Sequence, residues 1–549
     1  MKMVKALSLT LLLFAMATSL FSAEPVGSSK AKVGGTFRYN LSGEQPTLHP
    51  LRATDFSASW FRRRVYDTLL MKNPETDEWI SRLAESYTVS KDGLTYEFKI
   101  RKGIKWHDGK ELTARDVKFT FDAIVDPGNK YKTAHMKPYL ENIKSADVKD
   151  DYTIVFHVKS SYHGNFFYVA NMEIVPKHIY ENPTPKQDKD LNKTMIGSGP
   201  YKFQEWQRGK YLRLVRNDDW FGFKLPEYRG IWNFAQILVR FIGDSNAEMI
   251  RLEKGELDLV ALGPEEYERK TSGPKWGKEI FKVAYENSAP RGYGFVGMNQ
   301  NHIIFKDRTA RKAFAMLFNR DLMIKKFLYG HSEKATGPVF LRSPYANKDV
   351  KPIEFDPEGA LKLLRDNGWA DTDGDLILDK KIDGRKVSFS FTILEPLKDF
   401  EKYLTIVKED AKQIGVDVNI KIVEWNTFVK KLDEREFDAV RLAWGPAENL
   451  DWDPKQIWHS DSIKNEGSNF IGYSNSTVDK LIDDARAEMN VDKRKVILKK
   501  VFKQIADDVP YVFLFNSKEG FYAHSKRINK VKDSFKYAMG YDYWWMSAK

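Results

Sequence analysis

The chain reads as an α/β protein of more than one domain, and three observations carry that reading. At 549 residues it is longer than one hydrophobic core organises, so two or three domains are expected. From Val387 to Trp444 strand and helix patterns alternate, as crossover helices on a sheet require. Hydrophobic residues make up 42% and charged residues 30%, a balance that buries cores and excludes disorder.

The N-terminus reads as a secretory signal. Lys2 and Lys5 precede the apolar run Ala6 to Leu20, and cleavage after Ala23 would leave a chain starting at Glu24. The run falls short of the ~20 residues that span a bilayer. There are no cysteines, which excludes disulfides, thiol catalysis and a lipid-anchored cysteine. The net charge of +12 comes from 88 basic residues interleaved with 76 acidic ones. Without a dense basic tract, that pattern describes a mixed solvated surface and no nucleic-acid partner.

After a short lead, Gly34 to Tyr39 gives the first strand, Gln45 to Pro50 a turn and Trp60 to Leu70 a helix. Leu83 to Ile124 is the best-specified stretch, LAESYTVSKDGLTYEFKIRKGIKWHDGKELTARDVKFTFDAI. Lys91-Asp92-Gly93 predicts a hairpin turn, because glycine takes positive φ without strain. Leu94, Tyr96, Phe98 and Ile100 alternate with polar residues as a half-buried strand does. Thr113 and Asp116 have the spacing of a capping box ahead of the stripe Ala114, Val117, Phe121 and Ile124. Further on, helices are expected at 245–254, 307–324 and 356–369. Strands at 387–393, 416–423 and 437–444 then alternate with helices at 398–413 and 426–434. Helices 478–489 and 493–507 follow, and Pro510 to Phe515 returns as a buried strand.

The stretch from Leu83 to Ile124 closely resembles the signature of the extracellular solute-binding proteins of family 5. These are the peptide- and nickel-binding proteins that feed ABC importers. Gly34-Gly35-Thr36, Tyr66-Asp67-Thr68-Leu69, Gly197-Ser198-Gly199-Pro200-Tyr201, Asn217 to Gly222 and Gly255-Glu256-Leu257-Asp258 are similar to further segments of that family. His49 stands where the family usually has Asp. The resemblance covers essentially the whole mature chain. It implies a two-lobed, periplasmic-binding-protein-like fold of the large peptide-binder type. Lobe I would comprise 24–69, 187–290 and 510–549, with 70–186 as its accessory domain and 291–509 as lobe II. Hinge crossings are expected near 286–296 and 505–515.

The resemblance implies a periplasmic, monomeric carrier that is no enzyme and needs no cofactor. It would bind peptides and deliver them to ABC permease transmembrane subunits with their ATPase subunits. Alternatives are a carrier of oligosaccharide, nickel chelate or another small solute, or a secreted hydrolase. The segment Phe437 to Gly445 resembles the family's cleft strand, which puts Arg441, Trp444 and Gly445 at the ligand. The loop that follows is about three residues longer than in the family. The carboxylate for a peptide's α-ammonium therefore transfers to Asp451 first, Asp453 second and Glu448 third. Trp452 and Trp425 join the expected ligand-binding set. The Trp residues do not separate peptides from sugars.

Two other patterns read differently from their motifs. Gly292 to Gly297 matches G-x-G-x-x-G, but Tyr293, Phe295 and Met298 read as strand and no helix follows until about 307. Asp371 to Asp375 with Asp379 looks like a calcium loop, yet its Gly comes fourth and Ile382 occupies the twelfth position. A solvated loop is the expectation there. The ten His residues are scattered, with no zinc or nucleophile motif, and His107 is expected to be structural.

Overall fold

The computed structural model describes residues 25–547 other than 54, 134–135, 447–448 and 464–467. The expected signal at 1–23 and the candidate Glu448 lie outside the described residues. No helix among the described residues is long and apolar enough to cross a membrane.

Two sheets build the first lobe. Thr36–Leu41 runs parallel to Gln236–Phe241, which continues antiparallel through Tyr211–Arg216 to Tyr201–Gln207. In the second sheet, Gly520–Ser525 lies between Leu259–Leu262 and Ile280–Tyr285 and is antiparallel to both. Asp258 stitches the sheets together: its buried carboxylate accepts from Arg38 N and Ser525 Oγ at 2.9 Å and forms an ion pair with Arg527 at 2.6 Å.

The hairpin stretch folds as its sequence dictates. Ala84–Val89 and Thr95–Ile100 pair across Gly93, whose φ is 70°. Thr153–Val158 and Ile143–Asp150 complete an antiparallel four-stranded sheet. Thr113 and Asp116 form the reciprocal capping box of the helix Ala114–Val125, which buries Val117, Phe121 and Ile124. The apolar core of this sheet is continuous with that of the first four-stranded sheet.

Several of the segments that carry the family resemblance meet at one buried carboxylate. Asp67 accepts from Arg82 Nε at 2.6 Å, Ser198 Oγ at 2.8 Å and Trp220 Nε1 at 3.2 Å. Gly197 and Gly199 press against the end of the helix Phe56–Val65, where a Cβ at Gly197 would lie 1.9 Å from Val65 O. His107 Nε2 bonds to Gly199 O at 2.9 Å, and burial pushes its imidazole down to about 4. The helix begins four residues earlier than Trp60 because Asp55 caps it. It stops at Val65, short of Leu70, so that Asp67 can turn inward.

The second lobe holds a five-stranded mixed sheet. Asp417–Ile422, Ser390–Glu395 and Ala439–Trp444 are parallel, Tyr293–Met298 runs antiparallel beside them, and Tyr511–Phe513 at the edge is antiparallel to Tyr293–Met298. The G-x-G-x-x-G segment is thus a central strand. The single helix expected over 307–324 is two, Arg308–Ala315 and Arg320–Phe327, because Asn319 caps the second through Leu322 N. Tyr511–Phe513 stays in the second lobe's sheet, and Phe515–Ser517 pairs with Ser332–Lys334. The next strand, Gly520–Ser525, lies in the first lobe's second sheet, so 518–519 connect the two. Residues 286–292 connect the first-lobe strand Ile280–Tyr285 to Tyr293–Met298 of the second lobe's sheet.

Candidate ligand-binding cleft

The strand Ala439–Trp444 ends beside the crossings, where Pro446 lines a pocket with Leu262, Pro264 and Tyr285, and it carries Arg441 and Trp444. Arg441 lies flat on Phe400, 3.5 Å from the ring centroid, and its Nη1 is 3.6 Å from Glu395 Oε1. Glu395 is fully buried; burial lifts its carboxyl to about 7, although Arg441 pulls it down. Burial also lowers Arg441. Both shifts have the same cause: a pair this loosely met does not restore what the two charges lose on leaving water. Trp444 is half-buried and stacks on Phe295 at 5.9 Å. Gly445 is exposed, with open space where a Cβ would stand.

The loop after this strand turns both aspartates toward protein partners. Asp451 accepts from the Tyr345 hydroxyl and from Arg494 Nη2 at 3.2 Å, with His163 Nδ1 at 3.9 Å. Burial pushes its carboxyl up, but Tyr345 and Arg494 outweigh that and hold it below its ordinary value. Asp453 accepts from Arg486 at 2.6 Å and from the Tyr162 hydroxyl at 2.7 Å. Its other oxygen accepts from Lys455 N.

Tyr162 and His163 belong to the first lobe's side of the molecule, so this loop is where the lobes meet. Arg486 sits 4.1 Å over the Tyr162 ring, and His163 N donates to Arg486 O at 3.3 Å. Burial holds the His163 imidazole at about 4, hence neutral near pH 7. The lobes meet again where Glu268 lies 2.7 Å from His331 Nε2.

Trp452 is half-buried against the second lobe's core. Trp425 is 51% exposed at the start of the helix Trp425–Glu434 and stacks on Phe428. At the crossings an open pocket of about 420 Å³ is lined by Tyr285, Arg291, Gly292, Pro446, Glu519 and Phe521 among others. Gly292 packs so closely on the cleft strand that a Cβ would lie 2.0 Å from Trp444 O.

Arg441, Trp444 and Gly445 stand together at one strand end, as their spacing implied, whereas Tyr162, His163, Arg291 and Glu395 come to this region from distant segments. Only the polar pair Tyr162-His163, in the loop after the strand Thr153–Val158, offered a signal. The acidic turn places carboxylate oxygens of Asp371, Asp373 and Asp375 within 4.8 Å of one another, all exposed. Asp379 is engaged with Thr372 N and Oγ1.

Two lobes joined by paired crossings and facing each other across a lined cleft define a bilobal solute-binding protein. The chain belongs to the bacterial extracellular solute-binding proteins, family 5, whose middle-region model matches residues 78–465. It is 32% identical to the oligopeptide-binding protein AppA of Bacillus subtilis (strain 168), over 92% of either chain. The structure of that AppA in complex with a nonapeptide matches with a TM-score of 0.77 at 30% identity, covering 94% of this chain and 100% of the other. NikZ from Campylobacter jejuni in complex with Ni(L-His) shares the fold, with a TM-score of 0.77 at 22% identity over 93% and 99% of the two chains.

Proposed function

We propose that this protein binds peptides between its lobes outside the cytoplasmic membrane and delivers them, as a monomer, to the membrane subunits of an ABC importer. The observation that carries this reading is the likeness to AppA, at 32% identity over 92% of the chain, together with the match to its peptide complex. No covalent step is part of the function. Main-chain hydrogen bonds to an extended peptide supply affinity by strand addition, and the lobes close over it. Residues 70–186 serve as the first lobe's accessory domain, and 511–517 go with the second lobe.

Arg441, Trp444, Gly445, Trp425 and Trp452 form the second lobe's wall of the site. Of the acids, Asp451 is the better partner for the peptide's ammonium. Its side chain is 31% exposed, against 17% for Asp453, which two donors hold at 2.6–2.7 Å. An ammonium leaving water needs such a charge opposite it. Native mass spectrometry on protein purified without unfolding tests the reading. Peptide adducts are expected; a bound sugar or metal chelate in their place would overturn it.

A further inference from the structure

At the hinge end of the cleft, Arg291 is a cation without a matching anion among the described residues. It lies on the crossing 286–292 and lines the pocket of about 420 Å³. Among the described residues its guanidinium donates only to Ser517 O at 3.3 Å and, at 3.5 Å, to Asn287 Oδ1. Both contacts are longer than the usual N–H···O distance, and neither acceptor is charged. Among the described residues no carboxylate comes within ion-pair distance of it. Two acids whose charge reaches it are engaged elsewhere: Glu286 with Arg342 at 2.9 Å, and Glu519 with His331 Nδ1 at 3.6 Å. Burial lowers its basicity and the Arg342 charge adds to that, against the pull of Tyr285 and the two acids. A half-buried guanidinium presents a planar fork suited to a carboxylate. Gly292, beside it, touches Trp444 O, so the fork stands at the end of the proposed peptide wall.

We infer that Arg291 receives a carboxylate of the bound ligand at the hinge end of the cleft. The inference rests on the peptide reading above, and that carboxylate is then the peptide's C-terminus or an acidic side chain. With Asp451 at the ammonium, the two charges would give the peptide one direction in the cleft.

The test is calorimetric competition with degenerate nonapeptide pools on wild type, Arg291→Gln and Arg291→Lys. One pool lacks Asp and Glu and has free C-termini, the second is the same pool amidated, and the third is amidated but contains Asp and Glu. If the C-terminus is the partner, amidation weakens wild-type binding by about tenfold or more, and R291Q binds the free-acid pool equally weakly. Amidation then adds little in R291Q, because both changes remove one interaction. If an acidic side chain is the partner, the third pool keeps its affinity for wild type and loses it in R291Q. Arg291→Lys should recover part of the binding in either case and reports on folding. Equal binding of all pools to wild type and R291Q overturns the inference and leaves peptide binding standing. Failure of wild type to bind any pool overturns the peptide reading, and the inference with it.

Discussion

Asp67 and Glu395 are both fully buried carboxylates, and the two lobes treat them in opposite ways. In the first lobe Asp67 has an arginine, a hydroxyl and an indole N–H within 2.6–3.3 Å, and every donor comes from a different segment. In the second lobe Glu395 has Leu397 N at 2.7 Å and a guanidinium no nearer than 3.6 Å, and its Oε2 has no partner. A saturated carboxylate fixes a fold. One left short of donors, beside a cleft, keeps capacity for a change of surroundings. Asp451 stands between them, paired yet partly exposed.

The largest effect should come from the saturated site. Asp67→Ala leaves Arg82 buried without its anion, and the expected loss of stability in urea unfolding is about 3–5 kcal/mol. Ligand affinity of the folded fraction should stay unchanged. A small loss would break the comparison at its first term.

Next comes Asp451. Removing one member of a buried charge pair costs about 2–5 kcal/mol, so Asp451→Asn should weaken peptide binding roughly thirtyfold or more. Acetylating the peptide's N-terminus should weaken wild type similarly and add little in the variant. Equal acetylation costs in both proteins would transfer the role to Asp453.

Glu395 gives the smallest effect and a sign. Its folded value of about 7 lies above the 4.5 of an unburied Glu. Between those values the folded chain keeps a proton that the unfolded chain has lost. Stability therefore falls as pH rises through that window and levels off above it. Glu395→Gln should flatten this slope by about 1–3 kcal/mol between pH 5 and pH 8. An unchanged slope would mean that Arg441 satisfies Glu395 after all.

What the sequence made legible was local. The Asp92-Gly93 turn, the Thr113–Asp116 box and the alternation through 387–444 all reside within a few residues of their partners, and each is present. The break at Asn319 was not legible, because the apolar stripe continues through it and only the cap geometry interrupts the helix. The partners of the site lie far off in sequence. Tyr162 reaches Asp453 across 291 positions, and Asp451 meets Arg494 across 43. No spacing rule connects such residues, so the loop's acids looked free for ligand until their protein partners came into view.

The central claim is that ligand is held between lobes that must part to admit it, and the absence of cysteine allows a direct test. His163 N donates to Arg486 O at 3.3 Å across the lobe boundary. That backbone contact makes the two positions the place to introduce a disulfide across the boundary. A His163→Cys, Arg486→Cys variant, emptied of ligand and oxidised, should take up no peptide by calorimetry. Reduction should restore uptake to the level of the unoxidised variant. Equal peptide binding by the oxidised and reduced forms would contradict the account, because ligand would then bind without the lobes opening.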